Sequence, residues 1–139
     1  MNNGKESEYI DHRHPSSVAF VFSIEEDLSR RDFTINAMAD HPSIGLIDPF
    51  DGQKDLKKGI IRCVGDAQNR FEEDALRILR AHRFAARYNF QIEEKTLQAI
   101  DKKHDLLSFI SVERIRHEVV EIMKYNPYQL EHMTSLLKP

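Results

Sequence analysis

The residues best suited to chemistry lie between Glu73 and Arg87, where the chain reads Glu-Asp-Ala-Leu-Arg-Ile-Leu-Arg-Ala-His-Arg-Phe-Ala-Ala-Arg. At roughly 100° per helical residue, Arg77, Arg80, Arg83 and Arg87 fall within an arc of about 120°, with Glu73 inside it and Asp74 at its side. A guanidinium offers a planar fork of donors to phosphate oxygens or to a base edge, and a carboxylate supplies the acceptors that arginine lacks. Asp74 and Arg77, one turn apart, can therefore meet both the donor and the acceptor of a nucleobase. Ala75, Ile78, Leu79, Ala85 and Ala86 occupy most of the remaining arc and predict close packing against protein. The competing reading of the same stripe is a solvated arginine face that pairs locally with Glu73 and Asp74.

A second constellation is Arg30-Arg31-Asp32-Phe33-Thr34-Ile35-Asn36. On a helix, Asp32 and Asn36 would share one face, and with the two arginines they could hold a sugar-phosphate. A helix with an exposed polar face would look the same.

The elements that must position these residues follow from pattern. Residues 1–15 are polar and turn-rich and read as a loop. The β-branched and aromatic run Val18 to Phe22 predicts a strand. Ser23 with Glu26 has the form of a capping box, opening a helix from about Ile24 to Ala39 that ends at the His41-Pro42 step. Ile44 to Phe50 and Ile60 to Val64 are short strand-like runs, joined by the turn chemistry of Asp48-Pro49-Phe50-Asp51-Gly52; they could pair as a hairpin or bracket a hinge. Helical periods then cover Glu72 to Asn89, Ile92 to Lys103 and Ser111 to Tyr125, with a weaker one from Tyr128 to Leu137. A small β-containing front half before an all-helical back half predicts an α+β fold.

Composition narrows the classes. The 139 residues fit one domain or parts of two, and 40% hydrophobic with 31% charged residues is ordinary for a globular chain. The longest apolar runs are too short to span a bilayer, which together with a single cysteine, Cys63, suggests the cytoplasm. Cys63 itself reads as a small buried strand residue. A net charge of −3 excludes whole-surface attraction to nucleic acid. Seven histidines show no ligand-like spacing, so no metal site is expected; His104-Asp105 alone is too little for a metal phosphohydrolase.

Taken in order, these segments resemble the class II nucleotidyltransferases that build the CCA end of tRNA or add poly(A) tails. Asp27 to Ala37 resembles their ribose- and phosphate-side motif, and Asp48 to Leu56 the hinge between head and neck. Arg70 to Ala81 is similar to the base-reading motif, Ser111 to Glu118 to the neck motif that supports it, and Glu6 to Pro15 to a loop after the catalytic strands. The resemblance implies that Asp74 and Arg77 read the Watson-Crick edge of CTP or ATP while Arg80 braces them. It implies that Arg31, Asp32 and Asn36 hold ribose and phosphates, and that Glu73, Glu113 and Arg114 support the site. It divides the chain into part of a head, residues 1–59, and a helical neck, residues 60–139.

The wording at Glu73 to Arg77 and Asp48 to Gly52 leans towards CCA addition rather than poly(A) polymerase. The family's Gly-Gly turn and its Asp-x-Asp ligands for Mg2+ have no counterpart here, and neither has the part that grips tRNA. The expectation is a nucleotide-selecting section, inactive alone, whose whole enzyme would extend the tRNA 3′ end. A non-catalytic helical interaction module is the alternative, with apolar surface left for self-association.

Overall fold

A computed structural model describes residues 17–125. The expected loop before residue 16, its Glu6 to Pro15 motif and the weak helix from Tyr128 to Leu137 lie outside the described residues.

The first element is a helix, α1 (Ser17–Leu28), where a strand and then a helix from Ile24 to Ala39 were expected. Val21, Ile24 and Leu28 recur at helical spacing and pack with Ala37, Ile47 and Val64, whereas Val18 and Phe22 point to solvent. That period outweighs the β-branched composition, and Ser23 lies inside the helix rather than capping it. The helix stops at Leu28 because the next polar side chains bind locally. Ser29 Oγ donates to the Glu26 carbonyl at 2.5 Å, and Asp32 Oδ1 accepts from the Phe33 amide at 2.7 Å and from Asn36 Nδ2 at 3.3 Å. Residues 34–36 form one 3-10 turn, after which β1 (Ala39–His41) and β2 (Gly45–Ile47) make an antiparallel hairpin.

The expected turn at Asp48 opens a short helix, α2 (Gly52–Lys58). Its start is closed by Asp48, whose Oδ1 accepts from the Gly52 amide at 2.6 Å and whose Oδ2 accepts from that of Gln53 at 3.0 Å. The two strand-like runs do not pair with each other. β3 (Ile60–Ile61) pairs in parallel with β4 (Gln91–Ile92), a partner 31 positions on, and Cys63 bridges Phe33.

The back half is helical as expected: α3 (Ala67–Glu73), α4 (Leu76–Tyr88), α5 (Glu94–Lys103) and α6 (Val112–Tyr125). Helix α4 packs on α6, and α3 on α5. The expected single helix from Glu72 to Asn89 is broken. Asp74 is extended (φ −155°, ψ 102°), and its Oδ1 accepts from the Leu76 amide at 3.1 Å, so the carboxylate starts a new helix. The core gathers Phe33, Ile61, Phe71, Ile78, Leu79, Ile100 and Ile122, each fully buried. Front and back halves meet in this core, with Phe33 edge-on to Phe84 at 5.9 Å, while Leu28, Ala37, Ile47 and Val64 form a second, smaller cluster. Ala75, Ala85 and Ala86 join the buried side of α4 as their spacing predicted.

Cys63 is buried, and burial pushes its thiol up to about 12. The folded state keeps this proton at pH values where the unfolded chain, near its ordinary 9.0, has released it. The thiol's contribution is therefore complete below about pH 9 and is lost as pH rises towards 12. At pH 10 the loss should be about 1 kcal/mol. Urea unfolding at pH 8 and pH 10 should show this drop in the native chain and a smaller one in Cys63→Ala; equal drops would refute it.

Candidate functional site

Helix α4 starts where it does because of Asp74, and this places Asp74, Arg77 and Arg80 along one wall of an open cavity of about 570 Å3. The adjoining segment 30–36 supplies Arg30, Arg31, Asp32 and Asn36; Leu76 and Phe84 add apolar surface, and Arg114 contributes from α6. Of the nine residues singled out from sequence, seven line this space. Glu73 stands behind it, holding Arg77. Glu113 is exposed on α6 and does not line the cavity.

The arginine stripe is not a free solvated face, because each member is engaged. Arg77 Nη1 donates to Glu73 Oε1 at 3.0 Å and to the Arg70 carbonyl at 3.3 Å, and its Nη2 donates to the Arg30 carbonyl at 3.2 Å. Three of its five N–H groups are thereby used. Arg80 approaches Asp32 Oδ2 through Nε at 2.8 Å and Nη2 at 2.6 Å. It therefore pairs with Asp32 rather than with Asp74 or Arg77. Arg83 meets the buried Glu118 at 2.8 Å, tying α4 to α6, and Arg87 lies over the rings of Tyr88 and Tyr125.

The carboxylates divide by exposure. Asp32 is 7% exposed and both its oxygens are occupied, Oδ2 by Arg80 and Oδ1 by the Phe33 amide and Asn36. Asp74 is half-buried, and its Oδ2 lies 3.8 Å from Arg114 Nη2, beyond hydrogen-bond range. One acceptor of Asp74 is thus available at the cavity. The Asp74 carbonyl accepts from the Arg77 amide at 3.1 Å, so the two side chains leave the same turn. Arg31 is exposed, with Nη2 3.3 Å from Asp27 Oδ2 and Nη1 3.3 Å from the Asn36 carbonyl.

Sequence reasoning gave no separate role to Arg70. Arg70 Nη1 donates to the Ser29 carbonyl at 2.9 Å, and Nη2 meets Glu73 Oε2 at 2.9 Å. With Arg77 on the Arg30 carbonyl and Arg80 on Asp32, three arginines of the helical half grip residues 29 to 32 in order. The sequence signal for this was an arginine seven positions before Arg77, on an element that was not expected as a separate helix.

Among the described residues no group of three or more His, Cys, Asp or Glu side chains could hold a metal ion. No helix among them is long and apolar enough to cross a membrane.

Comparison with known proteins adds an independent line. Residues 4–62 match the sequence family described as Poly A polymerase head domain, and residues 89–133 match the probable RNA and SrmB-binding site of polymerase A. The CCA-adding enzyme of Lactobacillus delbrueckii subsp. bulgaricus is 56% identical over 117 residues, covering 84% of this chain and 30% of that protein. The crystal structure of the Bacillus stearothermophilus CCA-adding enzyme in complex with CTP superposes with a TM-score of 0.72 at 46% identity, covering 74% of this chain and 26% of that one. The Thermotoga maritima CCA-adding enzyme complexed with tRNA gives 0.73 at 40% identity, covering 81% and 29%. The chain therefore spans about 30% of the length of the relatives it matches.

Proposed function

Because this chain belongs to the nucleotidyltransferase family of CCA-adding enzymes and poly(A) polymerases, we propose that its cavity selects CTP and ATP for addition to the 3′ end of tRNA. The observation that carries this is the pairing at one turn of an unfilled carboxylate oxygen, Asp74 Oδ2, with a guanidinium that keeps two N–H groups free, Arg77. Cytosine and adenine each present an exocyclic amino donor beside a ring-nitrogen acceptor. Asp74 accepts from the first and Arg77 donates to the second. Uracil and guanine present an oxygen and an N–H at those places and leave both protein groups opposed to a like partner, which is the costly kind of mismatch.

In this reading Arg31, exposed at the cavity, meets phosphate oxygens, with Asn36 beside it. Asp32 acts differently in this reading. Its oxygens are filled, so it holds Arg80 and the 33–36 turn in place and contacts ribose only if Arg80 yields. Arg114 keeps Asp74 turned towards the cavity from α6, and Glu73 steadies Arg77; Glu113, being exposed and away from the cavity, supports the start of α6 alone. We draw the division between head and neck at residues 59 and 60. In the whole enzyme the nucleotidyl transfer uses Mg2+. The described residues offer no cluster to hold it, so no step here is routed through the ion. The full protein would act on tRNA in the cytoplasm.

Calorimetric titration of CTP, ATP, GTP and UTP into the chain tests the reading. CTP and ATP should bind at least about tenfold more tightly than the other two, the discrimination of one good bidentate contact. Asp74→Ala and Arg77→Ala should each erase that preference. Equal binding of all four nucleotides by the native chain would sink it.

A further inference from the structure

Arg70 does not line the cavity, but it is linked through Glu73 and through its own carbonyl to Arg77, which does. Its Nη2 lies 2.9 Å from Glu73 Oε2, while the other oxygen of that carboxylate, Oε1, takes Arg77 Nη1 at 3.0 Å. Its own carbonyl accepts from the same Arg77 Nη1 at 3.3 Å. Its Nη1 is anchored across the molecule on the Ser29 carbonyl, one residue before the carbonyl that holds Arg77 Nη2. The side chain is mostly buried at 18% exposure, and its Nε is buried with no hydrogen-bond partner among the described residues. An unsatisfied donor of that kind is unfavourable. The side chain is therefore held by its two ends.

From this geometry we propose that Arg70 is a positioning residue. It fixes the Glu73 carboxylate between two guanidiniums and so sets the direction in which Arg77 points its remaining N–H groups. Glu73 is itself half-exposed and, without Arg70, keeps a single partner on a side chain with three rotatable bonds. The planar fork of arginine can bind a carboxylate and a backbone carbonyl at once in fixed relative directions, whereas a lysine ammonium fixes no such direction. The proposal rests on the reading of Arg77 as a base-selecting group and extends it to the residue that aims it.

Two measurements on the full chain separate this role from a merely structural one. The first is nucleotide preference. Arg70→Ala should lower the ratio of CTP to UTP affinity about tenfold, Glu73→Gln should do the same, and Arg70→Lys should recover part of it. On an Arg77→Ala background, Arg70→Ala should leave the ratio unchanged, since nothing remains to aim. A structural role would instead weaken all four nucleotides alike on either background, and that result overturns the proposal. The second needs no nucleotide: nitrogen-15 NMR should resolve the Arg77 Nη protons in the native chain at low temperature and lose them in Arg70→Ala. Should Arg70→Ala fail to fold, Glu73→Gln carries both readouts. If the native chain shows no nucleotide preference, the base-selecting reading fails, and positioning by Arg70 is then decided by the NMR signals: their persistence in the variants overturns it.

Discussion

Asp32→Ala should lower the unfolding free energy by about 3 kcal/mol. The side chain is 7% exposed, accepts from Arg80 at 2.6 and 2.8 Å, and accepts from the Phe33 amide at 2.7 Å. Removing it leaves a buried N–H and a guanidinium without their acceptor, the situation in which breaking a pair is far more costly than forming it is favourable. Arg80 is one-third exposed and can turn towards water, which holds the figure at the lower end of the range for buried pairs. Asp32→Asn keeps an acceptor for Phe33 but loses the charge opposite Arg80, so it should fall between the two. Urea unfolding of the three chains checks this; a loss under about 1 kcal/mol in the alanine variant would mean that Arg80 does not hold the 29–32 segment to the helical half.

Gly52→Ala should be at least as damaging, for a reason of space rather than charge. A methyl group at this position would fall on the Thr34 carbonyl oxygen and lie 2.9 Å from Met38 Cγ. Met38 can move, but Thr34 cannot. Its amide donates to the Arg62 carbonyl at 2.9 Å, and its hydroxyl donates to the buried Asp55 at 2.6 Å. Nor can Gly52 withdraw, because its amide is the one that Asp48 takes at 2.6 Å to open α2. Overpacking against the Thr34 main chain, with Gly52 itself held, should cost about 3 kcal/mol. The checks are urea unfolding and the amide chemical shifts of Gly52 and Gln53: a variant as stable as the native chain, with both shifts unmoved, would show that the two segments are not in this contact.

These two positions also show where sequence was legible and where it was not. The back half declared itself through apolar periods: helices were expected over Ile92 to Lys103 and Ser111 to Tyr125, and Ile115, Val119 and Ile122 on α6 with Leu97 and Ile100 on α5 pack in the core. Ser111 starts α6 as expected, its Oγ accepting from the Arg114 amide at 3.3 Å. The front half was misread because its structure is set by side chains reaching main chain. Asp32, Asp48 and Asp74 each end or begin an element by accepting backbone amides, and nothing in their type tells a helical aspartate from one that breaks a helix. The parallel pairing of Ile60–Ile61 with Gln91–Ile92 could not be foreseen either, since two-residue strands carry no period. For the site, residue types and spacing brought out Arg30, Arg31, Asp32, Asn36, Asp74, Arg77 and Arg80 among the cavity's lining residues, and the family resemblance added Arg114; acid and arginine one turn apart stay together whether or not the helix continues. What stayed hidden was partnership: Arg80 reaches 48 positions back to Asp32, and Arg70 reaches 41 back to Ser29.

The engagement of Arg77, Arg80 and Arg83 by Glu73, Asp32 and Glu118 also bears on how a polyanion experiences this surface. Three guanidiniums that each sit against a carboxylate form dipoles rather than bare charges, and the chain as a whole is slightly anionic. Few condensed counterions would be displaced when a nucleic acid approaches along α4, so ionic strength has little purchase there and long-range steering is weak. Discrimination at this face is left to contacts that act only within touching distance.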